Sequence, residues 1–234
     1  MIGGKNMEKK IKLYKFNELE KDIQDKLVEK EKELEYESFC EWQLEDLMEE
    51  ESKDLLKQYF NNATFNKVYY DLSYSQGSGS MIAFTINIKD INNKYHILSD
   101  EELEIIQKYD LISDIEIIHD NSLYQHEYTF KISCYSDFTM DIYNEDIKYE
   151  YKDFKEKDYT NMIQKIENLI NNYNKHYTDS QFIKDIINMN EELTQRGYAL
   201  LEDDDYFTQI SYEYLENDDK LYFKNGDIYK GDYE

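Results

Sequence analysis

The chain has 234 residues, 40% of them apolar and 15% aromatic, with 24 tyrosines and no proline. That is enough for one large domain or a domain with a helical appendage, and the longest apolar runs are too short for a membrane span or a signal-peptide core. Its 52 acidic residues against 27 Lys and Arg leave a net charge of −25. This opposes direct binding to a phosphate backbone, where affinity comes from cations releasing counterions, and favours basic partners.

Two cysteines, Cys40 and Cys134, lie far apart and share no metal-ligand spacing, which points to reduced thiols and a cytoplasmic setting. No cofactor is implied. Residues 1–9, with Gly3-Gly4 and a second methionine at Met7, read as a loose start or a tag remnant. Ile11, Leu13 and Phe16 suggest a short extended entry. Asn17 followed by Glu20 is a capping-box pattern, and Leu19, Ile23, Leu27 and Val28 recur at helical spacing, predicting a helix over 18–33. A second helix is predicted over 38–60, with Phe39, Trp42, Leu44, Leu47, Met48, Leu55, Leu56 and Tyr59 as its core face. Its other face carries Glu45, Asp46, Glu49, Glu50 and Glu51. Such charge runs are usually solvated faces, but holding like charges on an ordered helix costs stability and favours a use for them.

The stretch 68–88, VYYDLSYSQGSGSMIAFTINI, organises the chain. Val68, Tyr70 and Leu72 on one side, and Ile82, Phe84, Ile86 and Ile88 on the other, recur with the period of two of half-buried strands. Between them lies Ser75-Gln76-Gly77-Ser78-Gly79-Ser80, whose glycines permit a reversing chain. A β-hairpin with a glycine–serine tip is predicted. Asn92-Asn93 reads as a break, and Ser99 with Glu102 as the cap of a short helix carrying Leu103, Ile106 and Tyr109. Strands are predicted at 115–118, 124–135, 138–143 and 147–151, with Asp120-Asn121-Ser122 as a turn.

From Asp158 the period becomes helical: Tyr159, Met162, Ile163, Ile166, Leu169, Ile170 and Tyr173 form one stripe, and Phe182, Ile186, Met189 and Leu193 a second that Gly197 would end. His176 to Asp179 reads as a kink or turn between the stripes. The acidic run 202–205 precedes a short helix near 207–215, and Asn225-Gly226 signals a closing type I′ hairpin over 221–229. The whole is an α+β chain: an antiparallel sheet around the central hairpin, with an N-terminal helical pair and a long C-terminal helical segment packing on it. The expected division is 10–155 for the helical pair and sheet, and 156–234 for the helical segment with its terminal hairpin.

The opening Tyr14-Lys15-Phe16-Asn17-Glu18-Leu19, then Trp42, then Tyr74-Ser75-Gln76-Gly77-Ser78-Gly79-Ser80 resembles a family of uncharacterised phage and prophage proteins. Their core is Ser-Gln-Gly-Asp-Gly between an aromatic and an apolar strand. Gly197-Tyr198, an acidic helix, and Tyr222-Phe223 before Asn225-Gly226 resemble the end of that family, so the likeness runs over most of the chain from Lys12. Ser78 stands where the family has Asp, and Ser80 where it often has Ala. The resemblance implies a mobile-element origin and no particular reaction.

No catalytic signature is present. His119 and His126 flank one predicted turn and, with Asp120 or Glu127, could hold a metal, although surface histidines beside a turn are the commoner case. The 75–80 loop could offer backbone N–H groups to an anion, but it lacks the lysine and the following helix of a P-loop. Three functions remain open. The first is an anti-defence inhibitor, for instance an anti-CRISPR, that binds a host protein or ribonucleoprotein with a basic groove through Glu45, Glu49, Glu50, Asp203, Asp204 and Asp205. The second is an enzyme with a small ligand or a metal at Ser75, Gln76, Gly77, Ser78, Gly79 and Ser80. The third is a phage protein that self-associates through its aromatic sheet.

Overall fold

The predicted central hairpin forms. In the computed structural model, which describes residues 11–109, 111–112, 114–134, 150–151, 153–170 and 180–230, strands β1 (Thr64–Asp71) and β2 (Gly79–Asn87) pair antiparallel from Thr64↔Thr85 to Asp71↔Gly79, with an irregularity between Phe65 and Lys67. β3 (Asp114–His119) pairs antiparallel with β2 and with β4 (Phe130–Cys134), giving a sheet in the order β1-β2-β3-β4. The helices are α1 (Lys21–Trp42), α2 (Leu44–Tyr59), α3 (Ile88–Tyr95), α4 (Asp100–Lys108), α5 (Glu156–Ile170), α6 (Gln181–Leu201) and α7 (Asp204–Asn217). The chain is α+β, and no helix among the described residues is long and apolar enough to cross a membrane.

Contacts divide it into two units, Asp46–Leu200 and the paired segments Met1–Glu45 with Leu201–Glu234. In the larger unit β2 is the centre. Met81, Ile82, Ala83 and Phe84 are all buried, so this strand is covered on both faces rather than half-buried. Phe60 stacks on Phe84 at 5.1 Å and meets Phe182 of α6 edge-on at 5.7 Å. Each such side chain contributes roughly 1.5–3 kcal/mol by leaving water. On α6, Phe182, Ile183, Ile186, Met189 and Leu193 are buried along one stripe, and α5 buries Tyr159, Met162, Ile163 and Ile166.

In the smaller unit α1 packs on α7. Its core is Phe16, Leu19, Val28, Leu215 and Tyr222, flanked by Tyr14, Ile23, Leu27 and Tyr212. Buried Gln24 ties the entry to α1: its amide donates to the carbonyls of Phe16 and Leu19, both at 3.1 Å, and its oxygen accepts from the Tyr212 hydroxyl at 3.4 Å. Tyr14 and Tyr222 form an isolated antiparallel bridge, so the entry strand is reduced to one residue.

Several expectations are corrected. The helical pair breaks at Gln43, not between 33 and 38, because nothing in 33–38 lacks helical competence. Trp42, expected in the core, is 74% exposed. The capping bond at the entry runs from the Lys15 N–H to the Glu18 carboxylate at 2.9 Å, so Asn17 is not the cap. Ile88 begins α3 rather than ending a strand, with Asn87 accepting from the Lys89 N–H at 2.9 Å. Asn92-Asn93 lies inside that helix, and buried Asn92 closes its far end by accepting from the Leu98 N–H at 2.7 Å. The Ser99–Glu102 box is as expected.

The strand predicted over 124–135 is shortened to β4, since 121–129 is a loop built from its own polar contacts. Gly197 does not end α6; it sits within it, where an added Cβ would lie 2.8 Å from Leu72 and 3.0 Å from Met48. At Asn225-Gly226 only the glycine has positive φ, 92°. The Gly226 N–H donates to Phe223 O and the Phe223 N–H to Asp227 O, which makes a turn with a glycine bulge rather than type I′. The 138–143 strand, the 176–179 turn and all but the end of the 147–151 strand lie outside the described residues.

Candidate functional site

The glycine–serine tip is held closed by its own groups. The Ser78 hydroxyl lies 3.0 Å from that of Ser75 and 3.1 Å from that of Ser73, and it accepts the Ser75 N–H at 2.9 Å. The Ser78 N–H donates to Ser75 O at 3.1 Å. Gly77 has φ 90° and faces the Tyr124 ring so closely that a Cβ would stand 2.2 Å from Cδ1. Its carbonyl accepts the Gln125 N–H at 3.1 Å. Gly79, at φ 154°, meets Gln125 and His126 in the same way. Ser80 is fully buried and donates to the Asn190 carbonyl at 3.0 Å. Gln76 is exposed. The two glycines thus admit the 121–129 loop onto the hairpin tip.

That loop holds His126, whereas His119 is the last residue of β3 and pairs with Phe130 of β4, so the two histidines do not face each other across paired strands. His119 stacks on Tyr69 at 4.7 Å and its Nδ1 accepts the Asn121 N–H at 3.0 Å. His126 Nδ1 accepts the Tyr128 N–H at 3.2 Å. Their ring nitrogens organise turns, and among the described residues no group of three or more His, Cys, Asp or Glu is placed to hold a metal.

Of the acidic residues singled out on α2, Glu45 and Glu50 are exposed, whereas Glu49 pairs with Lys53 at 2.5 Å. Glu51 binds Arg196 at 2.6 Å, an arginine that also binds Glu192. In the run 203–205, Asp203 is the N-cap of α7 and accepts the Tyr206 N–H at 3.0 Å. Asp204 and Asp205 sit in the first turn, where negative charge complements the helix dipole. Part of this acidity therefore starts a helix.

Asp204 also lines a groove between α1 and α7 of about 560 Å³. Its α1 wall carries Glu29, Glu33 and Glu37 at successive turns, with Lys32 and Tyr36; the facing wall carries Leu201, Glu202, Asp204 and Phe207. Tyr36 meets Phe207 edge-on at 5.5 Å, and Phe207 meets buried Phe39 at 5.3 Å, so the aromatic wall is anchored in the core. Lys32 is the one cation in this lining. Its ammonium lies 2.5 Å from Asp204 and 3.4 Å from Glu29, and the hydrogen bond to Asp204 holds its pKa above the ordinary lysine value despite partial burial. Glu33 and Glu37, which form no ion pair with another described residue, remain for a second cation. The 29-33-37 spacing is visible in the sequence, but a helix ended at 33 hides it.

Comparison with protein-family models, curated proteins and solved structures finds no match for this chain.

Proposed function

We propose that this is a binding protein of mobile-element origin that docks on a basic surface of a host nucleic-acid-handling complex, for instance a CRISPR effector, and competes there with nucleic acid. The observation that carries the reading is the groove between α1 and α7, with five carboxylates, one internally paired lysine and an aromatic wall. Arginine and lysine side chains of a partner suit such a lining: the carboxylates take the charge, and exposed Tyr36, backed by buried Phe207, takes the apolar stems or the guanidinium plane. A net charge of −25 steers a basic partner toward it and repels nucleic acid itself. Glu45 and Glu50 on α2 add exposed charge, and the mobile-element origin rests on the motif resemblance around Ser75 to Ser80.

The test uses the protein as bait in a bacterial lysate, washed at low and then high salt, followed by competition between the captured partner and its nucleic acid. Capture of a nucleic-acid-binding protein, released by salt and lost with Glu33→Lys, Glu37→Lys and Glu202→Lys combined, is expected. A partner retained by that triple variant, or one that binds nucleic acid equally well in its presence, overturns the reading.

A further inference from the structure

A second concavity, of about 370 Å³, lies within the larger unit, where the turn after α2 meets α3. Its floor is a preset platform. The Lys94 ammonium sits 5.0 Å from the centre of the Phe60 ring and 4.9 Å from that of Tyr95. It donates to Tyr59 O at 2.8 Å and to Asp185 at 2.7 Å, and the Tyr95 hydroxyl donates to the same carboxylate at 2.7 Å. The other oxygen of Asp185 accepts from Gln181 at 2.7 Å. Both charges are thereby neutralised inside the protein. The rim differs in kind. It presents the carboxamides of Gln58, Asn61 and Asn93, none with a hydrogen bond to another described residue, while Asn62 is held by Asp90 at 2.8 Å.

This chemistry excludes ligands one by one. An anion finds Lys94 already paired and a molecule of net charge −25 around it. A cation finds Asp185 satisfied by three donors and Asp90 engaged by Asn62. A wholly apolar ligand would strand the rim amides away from water. A neutral ligand with many paired donors and acceptors and one apolar face fits, since each carboxamide both donates and accepts and the Tyr59 and Tyr95 rings offer an apolar surface. We infer that this cavity binds a neutral saccharide, with Gln58, Asn61 and Asn93 bonding its hydroxyls and the aromatic platform packing its C–H face. The site is independent of the acidic groove.

The test is saturation-transfer NMR and calorimetry on the full chain with N-acetylglucosamine and galactose as probes and adenine as a neutral non-sugar control. Asn61→Ala combined with Asn93→Ala removes two rim amides. Both positions are exposed, neither has positive φ, and alanine favours helix at Asn93, so thermal stability without ligand stays unchanged. Saturation transfer to at least one sugar, with affinity at least tenfold weaker in the double variant, is expected. Absence of transfer to both sugars, equal affinity in the double variant, or tighter binding of adenine than of either sugar overturns the inference.

Discussion

The side-chain carbonyl of Asn190, on α6, accepts the backbone N–H of Ile82, on β2, at 3.0 Å. The pairing of β2 with β3 ends at Phe84↔Ile117 although β3 runs on to His119, and beyond that pair a helix side chain supplies the acceptor for Ile82. Asn190 is fully buried, and its amide also donates to Glu127 O at 3.3 Å. Asn190→Ala leaves a buried donor and acceptor unpaired. We expect a loss of about 2–4 kcal/mol in urea unfolding, with faster hydrogen exchange at Ile82. A loss within about 0.5 kcal/mol of wild type, the range of ordinary surface changes, rules this bond out as a stabilising one.

The contact of Gly77 with Tyr124 predicts coupling between two loops. Gly77→Ala meets both an unfavourable φ and the ring, and is expected to destabilise by about 2 kcal/mol or more. In a Tyr124→Ala background only the backbone conformation opposes the change, and the penalty falls to about 1 kcal/mol. Equal penalties in the two backgrounds would show the loops to be energetically separate.

Glu102, with a side chain only 7% exposed, closes the cap of α4 by accepting the Ser99 N–H at 2.8 Å and holds Lys165 of α5 through both oxygens, at 2.7 and 2.8 Å. Lys165→Met strands a buried carboxylate, which is expected to cost about 3 kcal/mol. Adding Glu102→Gln, which keeps the cap acceptor without the charge, should restore most of the loss. Thermal unfolding of the single and double variants checks this; no rescue would mean that packing by the lysine stem, not charge, holds α5 to α4.

Asp185 gives a pH dependence with a defined sign. Burial acts to raise its pKa, but the hydrogen bonds from Lys94, Tyr95 and Gln181 outweigh it and leave the value below the ordinary carboxylate range. A depressed folded value stabilises above the unfolded pKa of about 3.9 and is lost as pH falls through the folded one. Asp185→Asn should therefore lower stability by about 1–2 kcal/mol near neutral pH, the range for a partly exposed charged hydrogen-bond network. The gap from wild type should narrow below about pH 4. Melting curves from neutral pH downward measure it, and a gap that widens in acid contradicts the assignment.

The strands of the hairpin and the stripes of α5 and α6 were legible because periodicity reports which face is covered, and Phe84, Ile163 and Ile186 lie where it puts them. The break between α1 and α2 was not. Each residue of 33–38 is tolerated in a helix, and the end comes where the Gln43 N–H bonds Phe39 O. Trp42 misled because hydrophobic character states a preference for burial, and only the packing of neighbouring elements grants it. Gly197 reads locally as a breaker but acts through contacts with Leu72 and Met48 that no local window contains, whereas Asn92 closes its helix on Leu98, six residues on. The acidic groove was partly visible: Asp204 was singled out, but its facing residues, Glu29, Glu33 and Glu37, lie far away in sequence.

The smaller unit is assembled from the two ends of the chain, and this has a consequence for synthesis. α1 leaves the ribosome with Val28 and Phe39 uncovered, because α7, which covers them, follows about 160 residues later. At ordinary elongation rates of about 5–20 residues per second, that interval is roughly 10–30 s. Glu29, Glu33 and Glu37 are like charges on that segment and oppose its association with the same segment of a neighbouring chain. The charge that lines the finished groove is thus also a charge that disfavours pairing of its waiting half with other chains.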